Sequence, residues 1–504
     1  MGDIIFTAKK IVDQSPVATW IADGGDLLLS ALGVVSQRGD AGVDLLIGEV
    51  PEKPVIEIKT KCIAQFRPKG SWKGKFGFDW YRLGDTSLDG DVLFDELVGQ
   101  YYDKNPATPG AIRNRNPNSW TKFFQKDPQP EIFANYNRLQ TLKSLYGSFN
   151  YTFQKDGKAV TSPYYIPRLA LFSKKTDPSD PKKVQESGEA ELVLQIEHEK
   201  IAGKTTKPLR LQFEMDGLVM DEKHPLVSIS PAIIGQKDMG SKQTIKITCK
   251  ADFAEDKDIE VWAVSKNDDG TEECELAGRL KMIAPAKKKI LDVVIVRVKT
   301  RAGTGRPASL DQFKRNLKQA LVQVNEVNAD QNKIAISLDL TNLLSPLDFN
   351  TEYSVTNGDI KNTNGQQLSL EDLLTRELEV NYPGQFTSHF KLFFFSNSCQ
   401  TETITDTTGA VSKKQKAGYS NLNKNFGVLF SNHDETTIGH ECMHGLGLHH
   451  SFFGERFVFK ALKTENIMDY SGLPVDTVTG MANTPMDRVS TYYWQWKIIN
   501  PKLN

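Results

Sequence analysis

Between residues 287 and 504 the hydrophobic positions alternate between two spacings. Four runs rich in β-branched or aromatic side chains predict buried strands: residues 290–298, 333–340, 391–395 and 425–432. Two segments between them carry apolar residues at helical spacing: residues 309–327, with Ser309 as a candidate N-cap, and residues 368–380. Strands that alternate with helices predict a mostly parallel sheet covered by helices, hence an α/β domain. A further helix is predicted at residues 486–499.

Residues 186–286 have a different pattern, in which short segments of alternating polarity are separated by turn residues. The strands predicted from this alternation are residues 191–197, 209–215, 244–249 and 259–264. Regular short strands of this kind favour an antiparallel β-sandwich of immunoglobulin type. Such a domain either binds a partner or only separates two other domains, and both interpretations stay open.

Residues 1–185 are predicted to form a β-rich α+β module of unknown function. Residues 55–63 alternate as in a strand with one buried face, and residues 133–145 have helical spacing that ends at Gly147. Residues 173–190 are polar and interrupted by proline, which predicts a linker or an exposed loop. The chain as a whole is therefore expected to be multidomain.

Net charge and hydropathy argue against two classes of protein: those that bind nucleic acid and those that span a membrane. The 504 residues carry a formal net charge of −1, which gives no electrostatic basis for binding nucleic acid or an anionic membrane. The longest apolar run, residues 27–35, is too short to span a bilayer, and the first residues lack a secretory pattern. We therefore expect a soluble protein, either cytoplasmic or exported by a non-classical, specialised route.

The five cysteines are few and odd in number, so they imply no disulfide framework. Cys249 and Cys274 fall within the predicted sandwich. They either pair with each other or remain two buried thiols.

The strongest chemical signal lies in residues 440–450. His440 and His444 are four residues apart, so on a helix they share one face and bind one metal ion. Glu441 follows the first histidine, where it reaches a water molecule at the metal without being a ligand. Gly447 is expected to take a positive φ angle, which ends the helix and turns the chain back. That turn would bring His450 to the metal as a third nitrogen ligand. Three imidazoles with an open fourth position are typical of a catalytic zinc site.

The eleven residues from 440 to 450 read HECMHGLGLHH and fit the pattern HExxHxxGxxH. This pattern resembles the metzincin clan of zinc endopeptidases. Downstream, the residues NIMDY at 466–470 look like the methionine turn of that clan, and the two segments together are most similar to its pappalysin/cytophagalysin branch. The cysteine that usually follows the turn in that branch is missing. The resemblance covers residues 287–504 and says nothing about the residues before them.

The resemblance implies a metzincin-like domain whose sheet has an antiparallel edge strand at the cleft. It also implies that Glu441 is the general base and that Met468 forms an apolar floor beneath the three imidazoles. Tyr470 would be a metal ligand or a hydrogen-bond donor to the oxyanion, with a plain core aromatic as the alternative. An extended substrate is expected along residues 425–432, with a specificity pocket bordered by residues 472–485.

Two function hypotheses follow. The first is a zinc-dependent endopeptidase that takes Zn2+ as its cofactor and a protein or peptide as its substrate. The second is a cargo, effector or structural component of a secretion or injection particle. In that case residues 1–286 would contact the apparatus, and the peptidase domain would act on a target-cell protein.

Overall fold

The computed structural model describes most of the chain from residue 57 onward. The described residues are 57–104, 112–114, 131–177, 180–186, 188–201, 203–326, 336–341, 359–361, 367–405, 411–453, 457–469 and 486–503. They all belong to one compact unit, which spans residues 56–504. The structure is rich in β-strands arranged in several sheets. Among these residues, every helix is too short or too polar to cross a membrane.

Two sheets share the first hydrophobic core. The first sheet is antiparallel, with strands in the order Val227–Ser230, Lys242–Cys249, Glu189–His198 and Cys62–Pro68. The second has the order Leu218–Val219, Arg210–Met215, Lys257–Lys266, Glu272–Ile283, Arg168–Ala170 and Gly77–Asp79, and Ile233–Gly235 also pairs with Arg210–Met215. Leu194 of the first sheet and Phe213 of the second are both fully buried in the shared core. The four strands predicted from alternation in residues 186–286 are confirmed.

Both sheets cross the position where a domain boundary is predicted, between residues 185 and 186. Cys62–Pro68 completes the first sheet by pairing with Glu189–His198, and Gly77–Asp79 and Arg168–Ala170 extend the second sheet. These three strands precede the boundary. The pattern within 186–286 could not reveal them, because a strand's alternation says which face is buried but not which distant strand pairs with it.

Two local expectations for this part of the chain change. The linker predicted at residues 173–190 is wrong, because Lys175–Asp177 and Asp180–Glu186 pair as an antiparallel hairpin and the strand Glu189–His198 follows. All five cysteines are free thiols, with Cys249 buried and Cys274 exposed.

A third sheet, separate from these two, is built on one long strand, Lys289–Thr300, called here the central strand. On one side the central strand pairs in parallel with Val322–Glu326 and Ile336–Asp339. On the other side it pairs in parallel with Phe390–Phe394, which in turn pairs in parallel with Phe426–Leu429. The predicted parallel arrangement is confirmed.

The helices agree with the sequence in kind but not always in length. The α-helices are Phe94–Leu97, Tyr136–Tyr146, Asp311–Gln319, Leu370–Asn381, Glu435–Gly445 and Tyr493–Ile499, and the 3-10 helices are Pro285–Lys287 and Pro501–Leu503. The helix predicted over residues 309–327 is wrong in its second half, because Leu321 has a φ of +55° and residues 322–326 form a strand beside the central strand. Likewise, residues 486–492 precede the last α-helix and lie outside it.

The other described strands are short or lie in smaller sheets and hairpins. These strands are Glu57–Lys59, Gly99–Lys104, Ile112–Asn114, Glu131–Ala134, Ser148–Lys155, Lys158–Tyr165, Lys200–Ile201, Lys204–Thr205, Gly303–Thr304, Asp359–Lys361, Gln367–Ser369, Cys399–Thr405, Val411–Lys416 and Gly418–Tyr419. The helix predicted over residues 133–145 is confirmed at its end, where Gly147 has a φ of +66°. It begins only at Tyr136, because residue 133 belongs to the strand Glu131–Ala134.

Residues 72–99, called here the front segment, pack directly against residues 457–469 and 486–503. Phe94 contacts the rings of Phe459 and Tyr492, with centroids 5.2 Å and 5.6 Å away. The main chains also pair, since the amide of Gly99 donates to the carbonyl oxygen of Val458 at 2.9 Å. The two parts therefore share a buried aromatic cluster.

Candidate metal centre

The HExxHxxGxxH motif begins on the helix Glu435–Gly445, called here the motif helix. Its N-cap is Asp434, whose carboxylate accepts from the amide of Thr437 at 2.7 Å and from its hydroxyl at 2.8 Å. An aspartate directly before a helix is a favoured N-cap, and Asp434 has this role here. The helix buries Cys442 and Met443 in the core beneath the parallel sheet. Its histidines are left on the other side, where they are partly exposed.

Gly447 ends the motif helix as predicted. Its φ is +100°, and a Cβ atom there would lie 2.4 Å from the Oδ1 atom of Asn423. Its amide donates to the carbonyl oxygen of His444 at 2.9 Å, which closes the last turn. Only glycine meets both conditions without strain, and the turn returns His450 to the face of the helix histidines.

The three predicted ligands meet at one point. The Nε2 atoms of His440, His444 and His450 form a triangle with all three sides 3.2 Å long. Two nitrogen ligands ~2.0–2.1 Å from one tetrahedral zinc ion are about 3.3–3.4 Å apart, so the spacing suits such an ion. Within the described part of the chain, this is the one group of three or more histidine, cysteine or carboxylate side chains whose ligand atoms converge in this way.

Hydrogen bonds on the far side of two rings fix which nitrogen carries the proton. The Nδ1 atom of His440 donates to the carbonyl oxygen of Ile467 at 2.8 Å, and that of His444 donates to the carbonyl oxygen of Leu448 at 2.6 Å. In neutral imidazoles the Nε2 atoms then present lone pairs. Lone pairs 3.2 Å apart repel one another unless a cation lies among them, which makes the set a good fit to a metal ion.

The surroundings of His444 and His450 keep these two rings neutral. Burial, followed by the charge of His440, lowers the pKa of His444 to about 3. Burial, followed by the charges of His444 and His440, lowers the pKa of His450 well below its ordinary value. Both rings are therefore unprotonated at neutral pH, as a metal ligand must be.

The segment that resembles a methionine turn supports two of the ligands. The amide of Asp469 donates to the carbonyl oxygen of Asn466 at 2.9 Å, so residues 466–469 form a tight turn. Met468 is fully buried in this turn, and its carbonyl oxygen accepts from the amide of Ser451 at 3.0 Å, next to His450. One turn thus holds His440 through residue 467 and the neighbour of His450 through residue 468.

Two buried amides hold the turn itself. The side chain of Asn466 donates to the Oε1 atom of Gln495 at 2.7 Å and accepts from its Nε2 atom at 3.2 Å. The Oδ1 atom of Asn466 also accepts from the amide of Met468 at 2.9 Å. Neither amide was a predicted site residue. The sequence offers no local signal for Gln495, since it lies on a different helix.

Glu441 is partly exposed and lies against the last strand of the sheet. That strand is Gly418–Tyr419, called here the edge strand, and a Cβ atom at Gly418 would lie 3.3 Å from the Cγ atom of Glu441. The charge of Lys416 also acts on this region. Burial lowers the pKa of that lysine, and the negative charge of Glu441 opposes the effect.

The edge strand is not where the sequence placed it. Residues 425–432 are not an open edge, because Phe426–Leu429 pairs on one side with Phe390–Phe394 and on the other with Gly418–Tyr419. The edge strand runs antiparallel to its neighbour, as the resemblance implies. A two-residue strand is too short to give a periodic pattern, which explains the error.

The remaining predicted site residues fall elsewhere. Tyr470 and the predicted specificity loop at residues 472–485 lie outside the described residues. His449, next to the third ligand, is exposed and contacts the ring of Phe453.

Comparisons with known proteins add little to this site. No protein-family model and no curated protein matches the chain. One similar solved structure is "Structure of WR4, a C.elegans MSP family member", with 13% sequence identity over 23% of this chain and 91% of that chain. Its TM-score of 0.13 is too low to support an argument about fold or function.

Proposed function

We propose that the chain is a zinc-dependent endopeptidase of metzincin type, with an immunoglobulin-like sandwich packed before its catalytic domain. The equilateral triangle of Nε2 atoms from His440, His444 and His450 carries the proposal. Carbonyl oxygens hold the Nδ1 protons of His440 and His444, so their lone pairs are aimed inward before any metal arrives. Such outer hydrogen bonds are typical of histidine metal ligands.

His440, His444 and His450 would hold the zinc ion, which would supply Lewis acidity by lowering the pKa of a water molecule from ~15.7 toward ~7 and by polarising a carbonyl group. Glu441 removes the proton from the attacking water and delivers it to the leaving nitrogen. Glu441 lies on the motif helix between two of these histidines and is partly exposed, which supports this role. Tyr470 remains the candidate donor to the oxyanion, with the core aromatic as its alternative.

The substrate is proposed to lie extended along Gly418–Tyr419, the edge strand of the sheet. The absence of a side chain at Gly418 lets the side chain of Glu441 pack against this strand through its Cγ atom. A substrate main chain placed there runs past Glu441 and the three histidines together. Extended binding of this kind favours substrates that present an unfolded segment, which is cleaved at an internal peptide bond.

The test combines metal analysis with one isosteric substitution. Purified wild-type chain is expected to contain one zinc ion, and Glu441→Gln is expected to keep the zinc and the fold while peptide cleavage falls by at least about 100-fold. Glu435→Gln is the matched control, because it makes the same change on the first turn of the same helix. Zinc-free wild-type protein after metal-replete purification would reject the site. Full cleavage by Glu441→Gln would reject the mechanism.

The second hypothesis, a particle component or effector, stays a prediction. It concerns delivery rather than chemistry, so it is compatible with the same site. Co-purification of residues 1–286 with a large assembly would favour it.

A further inference from the structure

We propose that Arg82 and Glu465 form a positioning pair for the metal centre. Arg82 belongs to the front segment, whereas Glu465 immediately precedes the turn that holds the ligands. The pair fixes residues 465–467 so that the carbonyl oxygen of Ile467 keeps His440 in its ligand orientation. This inference rests on the proposed zinc site and adds to it a residue from the opposite end of the chain.

The ion pair is wholly inside the protein. Arg82 is 0% exposed and Glu465 is 3% exposed. The Nε atom of Arg82 donates to the Oε1 atom of Glu465 at 3.1 Å, and one terminal nitrogen donates to the same oxygen. The other terminal nitrogen donates to Asp79 at 2.9 Å. The guanidinium carbon lies 3.4 Å from the centre of the Trp80 ring. A planar fork held on several sides at once leaves the arginine little freedom to move.

The carboxylates on either side of Arg82 are anchored as well. Asp79 accepts from the hydroxyl of Tyr146 at 2.8 Å and from the amide of Tyr493 at 2.7 Å. Glu465 accepts from the hydroxyl of Ser490 at 3.0 Å. The network therefore joins the front segment to Glu465, which precedes the turn, and to residues 490–493.

The main chain at residue 465 is held just as closely. Its carbonyl oxygen accepts from the amide of Val489 at 2.9 Å and from that of Ser490 at 3.1 Å. On its other face, a Cβ atom at Gly90 of the front segment would lie 2.6 Å from the amide nitrogen of Glu465. Residue 465 is thus enclosed between the front segment and residues 489–490, and its position depends on both.

The path from this anchor to the metal ligand is short. Ile467 is two residues beyond Glu465, and its amide donates to the carbonyl oxygen of Ser490 at 2.8 Å. Its own carbonyl oxygen accepts the Nδ1 proton of His440 at 2.8 Å. Loss of Arg82 leaves the carboxylates of Glu465 and Asp79 buried without their cation, which the chain relieves by moving the segments that carry them. Loss of the Glu465 charge instead weakens the attraction by which Arg82 holds residue 465 in place. Movement there rotates the carbonyl group away from His440.

The consequence is measured best as zinc affinity. Loss of a hydrogen bond behind a metal ligand typically lowers affinity by about 10–100-fold. We expect losses of this size in full-length Glu465→Gln and Arg82→Met, measured by competition with a chromogenic chelator. With Co2+ in place of zinc, the visible absorption spectrum of both variants should also change, because it reports ligand geometry.

Arg67→Met is the matched control. Arg67 is 4% exposed and its Nε atom donates to Asp85 at 2.7 Å, so this variant also removes a buried guanidinium that precedes the catalytic part. We expect it to lower the melting temperature but to change zinc affinity by less than about 3-fold, with the Co2+ spectrum of the wild type.

The outcomes separate this inference from the proposed function. Wild-type protein that binds no zinc rejects the proposed function and this inference with it. Wild-type zinc affinity and Co2+ spectrum in folded Glu465→Gln reject the inference alone. Equal losses in Arg67→Met also reject it, because they would show general loosening. If Arg82→Met does not fold, Glu465→Gln alone tests the inference. Glutamine has the volume of glutamate and can still accept hydrogen bonds from Arg82 and Ser490, so this variant removes only the negative charge.

Discussion

The Nδ1 atom of His440 and the carbonyl oxygen of Ile467 lie 2.8 Å apart, although 27 positions separate them along the chain. This contact joins the motif helix to the turn downstream of it. The imidazole is thereby held in one tautomer with its lone pair directed at His444 and His450. The site is organised by main-chain atoms as much as by its histidines, and this shapes how substitutions should act.

Replacing Gly447 by alanine should damage the metal centre more than the fold. The new side chain would have to adopt a φ of +100° and would meet Asn423 at 2.4 Å. We expect a loss of about 1–3 kcal/mol in the free energy of unfolding and a displaced His450. Zinc titration of the apoprotein should show at least about 10-fold weaker binding.

The control for that substitution is Gly384→Ala. Gly384 has a φ of +69°, nothing lies within 4 Å of the place where its new methyl group would stand, and it is exposed far along the chain from the motif. It carries the same kind of backbone strain without the collision. Equal zinc affinities in the two variants would contradict the role assigned to Gly447.

The metal-free protein should lose stability as the pH falls from about 6.5 toward about 3. In the folded state the pKa of His444 is lowered to about 3, whereas an unfolded histidine titrates near ~6.5. Between these values the unfolded chain binds more protons, so the free energy of unfolding decreases as the pH decreases. The contribution of His444 is complete above pH ~6.5, falls by up to about 1.4 kcal/mol per pH unit in the window, and is lost below it.

Urea titrations of the apoprotein at several pH values measure this slope. His444→Gln removes one titrating ring and should flatten the curve in the same window, while carboxylates elsewhere act equally on both proteins. A slope unchanged by the substitution would contradict the assignment.

Removing the negative charge of Glu441 should lower the pKa of Lys416. Burial already lowers this pKa, and the charge of Glu441 opposes the effect. In Glu441→Gln the opposition is lost, so we expect the Lys416 ammonium group to lose its proton at a lower pH than in the wild type. NMR titration of 13C-labelled lysine side chains measures the shift, and Glu435→Gln is the control because it removes a charge from the first turn of the same helix. An equal shift in both variants would mean only a general charge effect.

The parts of this structure that could be predicted from the sequence are those encoded locally. Helical spacing places His440 and His444 on one face, Asp434 caps the helix from the adjacent position, and only glycine suits the turn at Gly447. Alternation likewise identifies the sandwich strands within residues 186–286. In each case the physical cause lies within a few residues of its effect.

What the sequence could not reveal depends on distant partners. The strand Cys62–Pro68 pairs with Glu189–His198, and no local feature of either names the other. The carbonyl oxygens that orient His440 and His444 belong to Ile467 and Leu448, and every residue has a carbonyl oxygen. Pairing and main-chain contacts arise only when the whole chain is folded.

The Arg82–Glu465 contact spans 383 positions of the sequence and so imposes an order of events in synthesis. The ribosome releases the front segment long before it adds the residues that surround Glu465. Contacts between distant positions also form late, because a long loop must close first. The proposed metal centre is therefore expected to stay unassembled on the nascent chain, so that the proposed peptidase activity appears only after translation has passed the motif and its turn.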